Sequence, residues 1–398
     1  YPFIGLGRAL QRSGVDVTVI TNGHFADAVT GTGLKFKAVG TVEQYAAITQ
    51  DRDLWHPRRG FELVARAWIE LMPETYAVIR DHYVPGQTVV VASAPVFGAR
   101  VAQEHLGVPL ATVHLQPATI RSLHETPRLP LVPPSDWQPR LCRRLVYWLA
   151  DQFVDRMVAA PLNAFRAQFQ LAPVRRVLRD WWVSPQLVVG LFPDWFAPPQ
   201  PDWPPQILLA GFPLYDGAAP DDLPAEVAGF LATGAPPIVF TPGSAMRHGA
   251  AFFRTAVEAC RRLGRRGILL TRYPEQLPGN LPAEVRWFGF QPLGRLLPQC
   301  AALVHHGGIG TTAQGLAAGI PQLIMPIAFD QPDNAARAVR LGVARTITSR
   351  AFHPRAAARV LAALLESPEI ARQCQRLASR AAAPQRLDAA CAAICRLA

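Results

Sequence analysis

The residues best suited to chemistry lie in one stretch, Val304-His305-His306-Gly307-Gly308-Ile309-Gly310-Thr311-Thr312, which follows an apolar run and leads into a helical pattern. Where a strand feeds a helix, the first backbone N–H groups of the helix lack partners, and the helix dipole adds about half a positive charge. Glycines let an anion approach the main chain, Thr311 and Thr312 offer hydroxyls and a cap, and His306 can donate a further hydrogen bond. That set of groups suits a phosphate. A tight strand-to-helix turn also needs glycine, so these residues alone leave both readings open.

Three neighbouring stretches favour the phosphate. Phe290, in Phe290-Gln291-Pro292-Leu293, stands at a strand end where an aromatic ring can stack on a nucleobase. Phe329-Asp330-Gln331-Pro332-Asp333-Asn334 follows a buried strand, and its adjacent acid and amide suit the hydroxyls of a sugar. Thr241-Pro242-Gly243-Ser244 ends another strand. Four loops at the carboxyl ends of strands thus offer base, phosphate and sugar contacts, and open α/β sheets bind ligands at that edge.

The elements that hold these loops alternate. Residues 2–13 have helical spacing, Gly14 breaks it, and 15–20 is a β-branched run. Strands are expected at 88–92 and 109–113, with a helix at 95–105 between them. An amphipathic helix is expected from Arg140 to Ala160, its Leu141, Leu145, Trp148, Leu149 and Phe153 packing against the sheet, with contact to a membrane surface as the other reading. A second series follows: strands at 238–241, 267–271, 285–288, 301–305 and 322–325, with helices at 249–263, 293–299 and 311–319. This pattern predicts parallel sheets covered on both faces, in two Rossmann-like domains facing a central cleft. The expected boundaries are 1–213 for the first domain, 214–235 for a proline-rich linker, and 236–398 for the second.

Composition narrows the function classes. Half of the 398 residues are apolar and 17% are charged, which excludes an extended disordered chain. The net charge of +11 comes from scattered arginines without a block of like charge, so nucleic acid is not an expected partner. The six cysteines show neither CxxC nor paired metal-ligand spacing, consistent with reduced thiols in the cytoplasm. No apolar run reaches the roughly 18–20 residues that cross a bilayer. Peripheral association with the inner face of a membrane stays open. The chain opens at Tyr1 inside a helical pattern, as expected of a fragment that lacks its first strand and loop.

The run from Phe290 to Asn334 resembles the sugar-nucleotide-binding region of GT-B glycosyltransferases of the UDP-glycosyltransferase family: aromatic-x-Pro, then His-x-Gly-x-x-Ser/Thr, then Asp/Glu-Gln. The stretch Ser184 to Leu214, with Phe192-Pro193-Asp194-Trp195-Phe196-Ala197-Pro198-Pro199, is similar to the rhamnosyltransferase branch that serves rhamnolipid synthesis. The resemblance implies that Phe290 stacks on the base and that Ser244, His306, Gly308, Gly310 and Thr311 hold the diphosphate. Asp330 and Gln331 would hold the transferred sugar. The family's catalytic base lies before Tyr1; His24 is a weak substitute, and His56 either lines the acceptor pocket or sits in an exposed loop.

The implied reaction is an inverting transfer of a rhamnosyl or glucosyl group from a dTDP- or UDP-linked sugar to a lipophilic acceptor hydroxyl, such as a hydroxyalkanoyloxy-alkanoate. No metal and no cofactor beyond the nucleotide sugar are expected, because dipoles and His306 face the departing charge and the lone Asp51-Arg52-Asp53 lies far from the motif. Trp55, Phe61, Trp68, Trp148 and Phe153 offer apolar surface for the acceptor. A sugar-nucleotide 2-epimerase of the same fold, or a non-catalytic sugar-nucleotide-binding fragment, are the rival readings.

Overall fold

Short aliphatic runs become strands buried on both faces, the pattern that parallel sheets demand. The computed structural model describes residues 1–129, 138–217, 223–381 and 385–398. It divides into two compact units: a first made of Pro2–Pro213 and Pro384–Ala398, and a second made of Leu214–Ala383 with Tyr1.

In the first unit, β1 (Thr18–Thr21) pairs in parallel with β2 (Lys35–Ala38). Strands β3 (Val90–Ser93), β4 (Leu110–His114), β5 (Leu187–Gly190) and β6 (Ile207–Leu209) form a parallel sheet in that order. Sequence alternation does not mark β2, where lysines interrupt the pattern, or β5 and β6, which are short and flanked by prolines.

The helix Arg140–Ala167 runs past the expected end at Ala160 and through Pro161. A mid-helix proline costs about 3 kcal/mol, whereas burying each large apolar side chain returns about 1.5–3 kcal/mol. Leu162 and Phe165 lie beyond the proline and are both buried with Val154 and Val158, so continuation wins. Phe153 packs inward with Phe61 and Trp68, but Leu141, Leu145, Trp148 and Leu149 face solvent. The expectation that all five pack against the sheet is therefore corrected for those four.

The second unit carries a six-stranded parallel sheet: β7 (Ile238–Thr241), β8 (Gly267–Leu270), β9 (Val285–Phe288), β10 (Ala302–His305), β11 (Gln322–Ile324) and β12 (Ala344–Thr346). Its spatial order is β12-β11-β10-β7-β8-β9. The first strand of the series therefore lies beside the fourth, where the order reverses. Helices cover both faces: Phe253, Ala256 and Leu361 seal one side, and Leu296, Leu297 and Val227 the other. Val227 belongs to the helix Ala225–Ala232, so part of the expected linker is built into this core.

The tail differs as well. Ala390, Cys391 and Ile394 of the helix Gln385–Cys395 pack with Leu6, Ala9 and Leu10 of the helix Pro2–Arg12 and with Leu187 and Val189 of β5, in the first unit. The expected second domain ran to residue 398. Three small or aliphatic residues on one helical face find their apolar partners on the first sheet instead.

Phe253 is fully buried in the larger core of the second unit. Phe253→Ala should lower unfolding free energy by about 3–5 kcal/mol, read as an earlier urea midpoint at unchanged slope.

Candidate functional site

The site begins with strand register. Thr241, the last residue of β7, pairs with His305, the last residue of β10. The loops that follow, 242–249 and 306–308, therefore leave the sheet side by side at the point where strand order reverses, the crevice in which such sheets take ligands.

The two adjacent histidines do different work because strand residues alternate in direction. His305 is buried: its Nε2 donates to Gln322 Oε1 at 2.9 Å and its Nδ1 accepts the Gly307 N–H at 3.1 Å. That pattern fixes a neutral ring, and burial pushes its pKa down to about 3. His306 stands past the strand end. Its Nδ1 is buried with no partner, and burial lowers the ring to about 4, so it too is neutral at physiological pH.

Two glycines make room for the His306 ring. A Cβ on Gly308 would stand 2.5 Å from its Nε2, and one on Gly243 would stand 2.9 Å from its Cε1. Gly243 also has φ of 105°, a conformation that side chains disfavour. The ring is held between the main chains of both loops.

Gly308 caps the helix Ile309–Ala318 without a side-chain hydrogen bond. Thr312 is buried and its hydroxyl is spent on the Gly308 carbonyl at 3.0 Å, so of the two expected threonines only Thr311 keeps its hydroxyl for a ligand. Gly310 is exposed, with open space where a Cβ would be. The first-turn N–H groups, the dipole and the neutral His306 converge on one place.

The third loop is braced against this one. Asn334, fully buried, donates from Nδ2 to the Gly307 carbonyl at 3.0 Å and to Asp330 Oδ2 at 2.6 Å. Burial raises the Asp330 carboxyl to about 6, against the lowering hydrogen bond from Asn334. Phe329 just before it is held at φ 55°, an unusual conformation for an aromatic residue and one found at functional loops. Gln331 is buried and its Oε1 accepts the N–H groups of Ile327 and Ala328 at 2.8 and 3.0 Å. Its oxygen shapes the loop, which leaves the amide nitrogen as its group for a ligand.

Ser244 is exposed in the loop after β7, whose far end is pinned by buried Gln276 through the Met246 carbonyl and the Gly249 N–H. Phe290 is 44% exposed after β9, with the Arg272 guanidinium 5.0 Å from its ring centre and the ring of Tyr1 stacked 5.8 Å away. Ser244, Phe290, His306, Gly308, Gly310, Thr311, Asp330 and Gln331 all belong to the second unit. Sequence reasoning did not single out Gly243, Asn334, Arg247 or Arg272. Arg247 lies over Tyr273 at 4.4 Å with its Nε buried and unpartnered. The signal was present in the Pro-Gly-Ser-Ala-Met-Arg run and in Asn334, four residues after Asp330.

The first unit's residues have local roles. His24 is exposed in a short turn, with its ring stacked on Tyr45 at 4.5 Å. His56 is exposed, and its Nδ1 accepts the N–H groups of Arg58 and Arg59 at 3.3 Å, capping the helix Arg59–Glu70. Asp51 caps the Asp53 N–H, and Asp53 pairs with Arg59. Of the aromatics proposed for the acceptor, Phe61, Trp68 and Phe153 are partly buried and pack against the first unit's core.

The chain is similar to known glycosyltransferases. Residues 268–393 match the family described as Erythromycin biosynthesis protein CIII-like, C-terminal domain. The chain is 33% identical over 266 residues to O-mycaminosyltylonolide 6-deoxyallosyltransferase of Streptomyces fradiae, covering 64% of this chain and 60% of that protein. It is 28% identical over 360 residues to Glycosyltransferase GtfC of Amycolatopsis orientalis, covering 86% and 81%. The fold matches Spinosyn Rhamnosyltransferase SpnG complexed with thymidine diphosphate, with a TM-score of 0.67 at 20% identity over 96% of this chain and 92% of that one.

His305, His306 and His114, the last lowered to about 4 by burial, are all neutral in the folded chain and protonate near pH 6.5 when unfolded. Their depressed folded pKa values mean that stability is present above pH 6.5 and is lost as pH falls toward 4. The raised carboxyls of Asp330 and Asp216 act in the opposite sense between their folded and unfolded values, two groups against three. The urea midpoint should be lower at about pH 4.5 than at about pH 7, and His114→Gln should flatten that dependence.

Proposed function

We infer that this chain, a glycosyltransferase of the EryCIII-like group with the GT-B fold, moves a hexosyl group from a nucleoside-diphosphate sugar to a hydroxyl of a lipophilic small molecule. The observation that carries the reading is the His306 ring held between Gly243 and Gly308 at a helix start without a side-chain cap. A neutral hydrogen-bonding ring beside the main-chain donors of a helix start supports binding of a diphosphate.

In the reaction the acceptor oxygen forms a bond to the anomeric carbon as the bond from that carbon to the diphosphate oxygen breaks. The acceptor proton passes to a base, and the electron pair leaves with the diphosphate. The growing charge needs fixed positive groups. The helix Ile309–Ala318 supplies its dipole and first-turn N–H groups, Thr311 and Ser244 supply hydroxyls, and Arg247 adds a cation from the loop after β7. These groups support a metal-independent departure. Asp330 accepts hydroxyls of the sugar, with Asn334 holding its other oxygen, while the Gln331 amide donates. Phe290 stacks on the base. A single displacement inverts the anomeric centre.

The name of the Streptomyces fradiae relative specifies transfer of a 6-deoxyhexose to O-mycaminosyltylonolide, and the fold neighbour is named a rhamnosyltransferase and holds thymidine diphosphate. Both support a dTDP-linked deoxyhexose such as rhamnose as donor, with a UDP-linked glucose as the second candidate. The acceptor is a lipophilic hydroxyl compound, with a hydroxyalkanoyloxy-alkanoate as the specific proposal from the rhamnosyltransferase resemblance.

Gly308→Ala and His306→Ala should each weaken binding of thymidine diphosphate about 10- to 100-fold, the loss of one hydrogen bond to a charged group, as measured by calorimetry. Undiminished affinity in both variants would remove this reading. Transfer from dTDP-rhamnose should survive excess EDTA, with inverted anomeric configuration in the product by NMR. Loss of turnover that Mg²⁺ restores, or retained configuration, would overturn that part of the mechanism.

A further inference from the structure

The helix Arg140–Ala167 has one face that no other described residue covers. Its other face is anchored throughout: Arg143 donates to the carbonyls of Leu123 and His124 at 2.8 and 3.0 Å, Tyr147 bonds the main chain of Ser122, and Asp151, Val154 and Val158 are buried. Opposite these, Leu141 is 74% exposed, Leu145 56%, Trp148 53% and Leu149 52%. Their spacing of four, three and one residues stacks them into a stripe about 12 Å long at 1.5 Å per residue. Nine large apolar side chains are exposed among the described residues, and these are four of them, so the patch is concentrated rather than scattered.

Charge indicates what covers it. Residues 138–150 contain three arginines and no acid. Arg143 is tied inward, Arg140 is exposed with its Nη2 donating to His124 Nδ1 at 3.3 Å, and Arg144 is exposed beside the stripe. The first acid along the helix, Asp151, is buried and neutralised by Arg121 at 2.8 Å. An apolar stripe containing tryptophan and flanked by arginines without acids matches the interface of an anionic bilayer. There the apolar residues enter the acyl boundary and the guanidinium groups meet lipid phosphates. A second copy of the stripe would bring arginines against arginines.

We propose that the first two to three turns of this helix dock the protein flat on an anionic lipid bilayer, with Leu141, Leu145, Trp148 and Leu149 inserted and Arg140 and Arg144 at the headgroups. No helix among the described residues is long and apolar enough to span a membrane, so the contact is lateral.

The test is sedimentation of the full chain with phosphatidylcholine vesicles with and without phosphatidylglycerol. Wild type should pellet with the anionic vesicles, less so as salt rises, and remain largely in solution with phosphatidylcholine alone. The triple variant Leu145→Ser, Trp148→Ser, Leu149→Ser should lose about tenfold or more in partitioning, and Arg140→Glu with Arg144→Glu should do the same. An unchanged far-UV circular dichroism spectrum and urea midpoint in both variants would show that their fold is intact. Three outcomes overturn the proposal: wild type that never pellets, variants that pellet as well as wild type, or a lipid-free dimer that the triple variant converts to monomer, which would make a second copy the occupant.

Discussion

The second unit depends on how closely two main chains approach beyond the paired residues Thr241 and His305. Because β7 and β10 are hydrogen-bonded neighbours, the loops leaving them must share one small volume, and an imidazole fills it. Any side chain at position 243 or 308 would occupy the same space as that ring. The glycines are therefore required by His306 as well as by the turns, and the reversal of strand order is what forces the three into contact.

Around this contact the protein arranges polar groups in layers of different stiffness. His305, directly beneath, has both ring nitrogens engaged and locks the strand end to Gln322 on β11. Asn334 links the 306–308 loop to the 329–334 loop, so the two loops cannot move independently. Gln331 folds its own loop by taking two main-chain donors. His306 Nδ1 is buried without a partner, and the start of the helix Ile309–Ala318 has no side-chain cap.

Much of this is legible in the sequence, for physical reasons. Fully buried strands read as unbroken aliphatic runs, which is why β7 to β11 can be located nearly residue for residue. Glycine-rich strand-to-helix junctions and the Asp330-Gln331 pair carry their chemistry in residue type. Other features depend on three-dimensional neighbours. Thr311 and Thr312 look equivalent until helix geometry turns the second hydroxyl onto Gly308. Gln331 looks like a ligand residue, yet half of its amide holds the loop. Leu162 and Phe165 carry a helix through a proline that reads as its end, and the stripe at 141–149 resembles core because only the fold reveals which face has neighbours. Short, proline-flanked strands such as β5 and β6 fall below what alternation can signal.

The return of the last helix to the first sheet makes the first unit discontinuous in the chain. Its apolar face at Leu6, Leu10 and Leu187 stays open while residues 214–381 are being synthesised, and it closes only when Ala390, Cys391 and Ile394 emerge from the ribosome. Assembly order thus runs against sequence order: the internal unit can finish first, and a nick near the carboxyl end injures the half of the protein that was translated earliest.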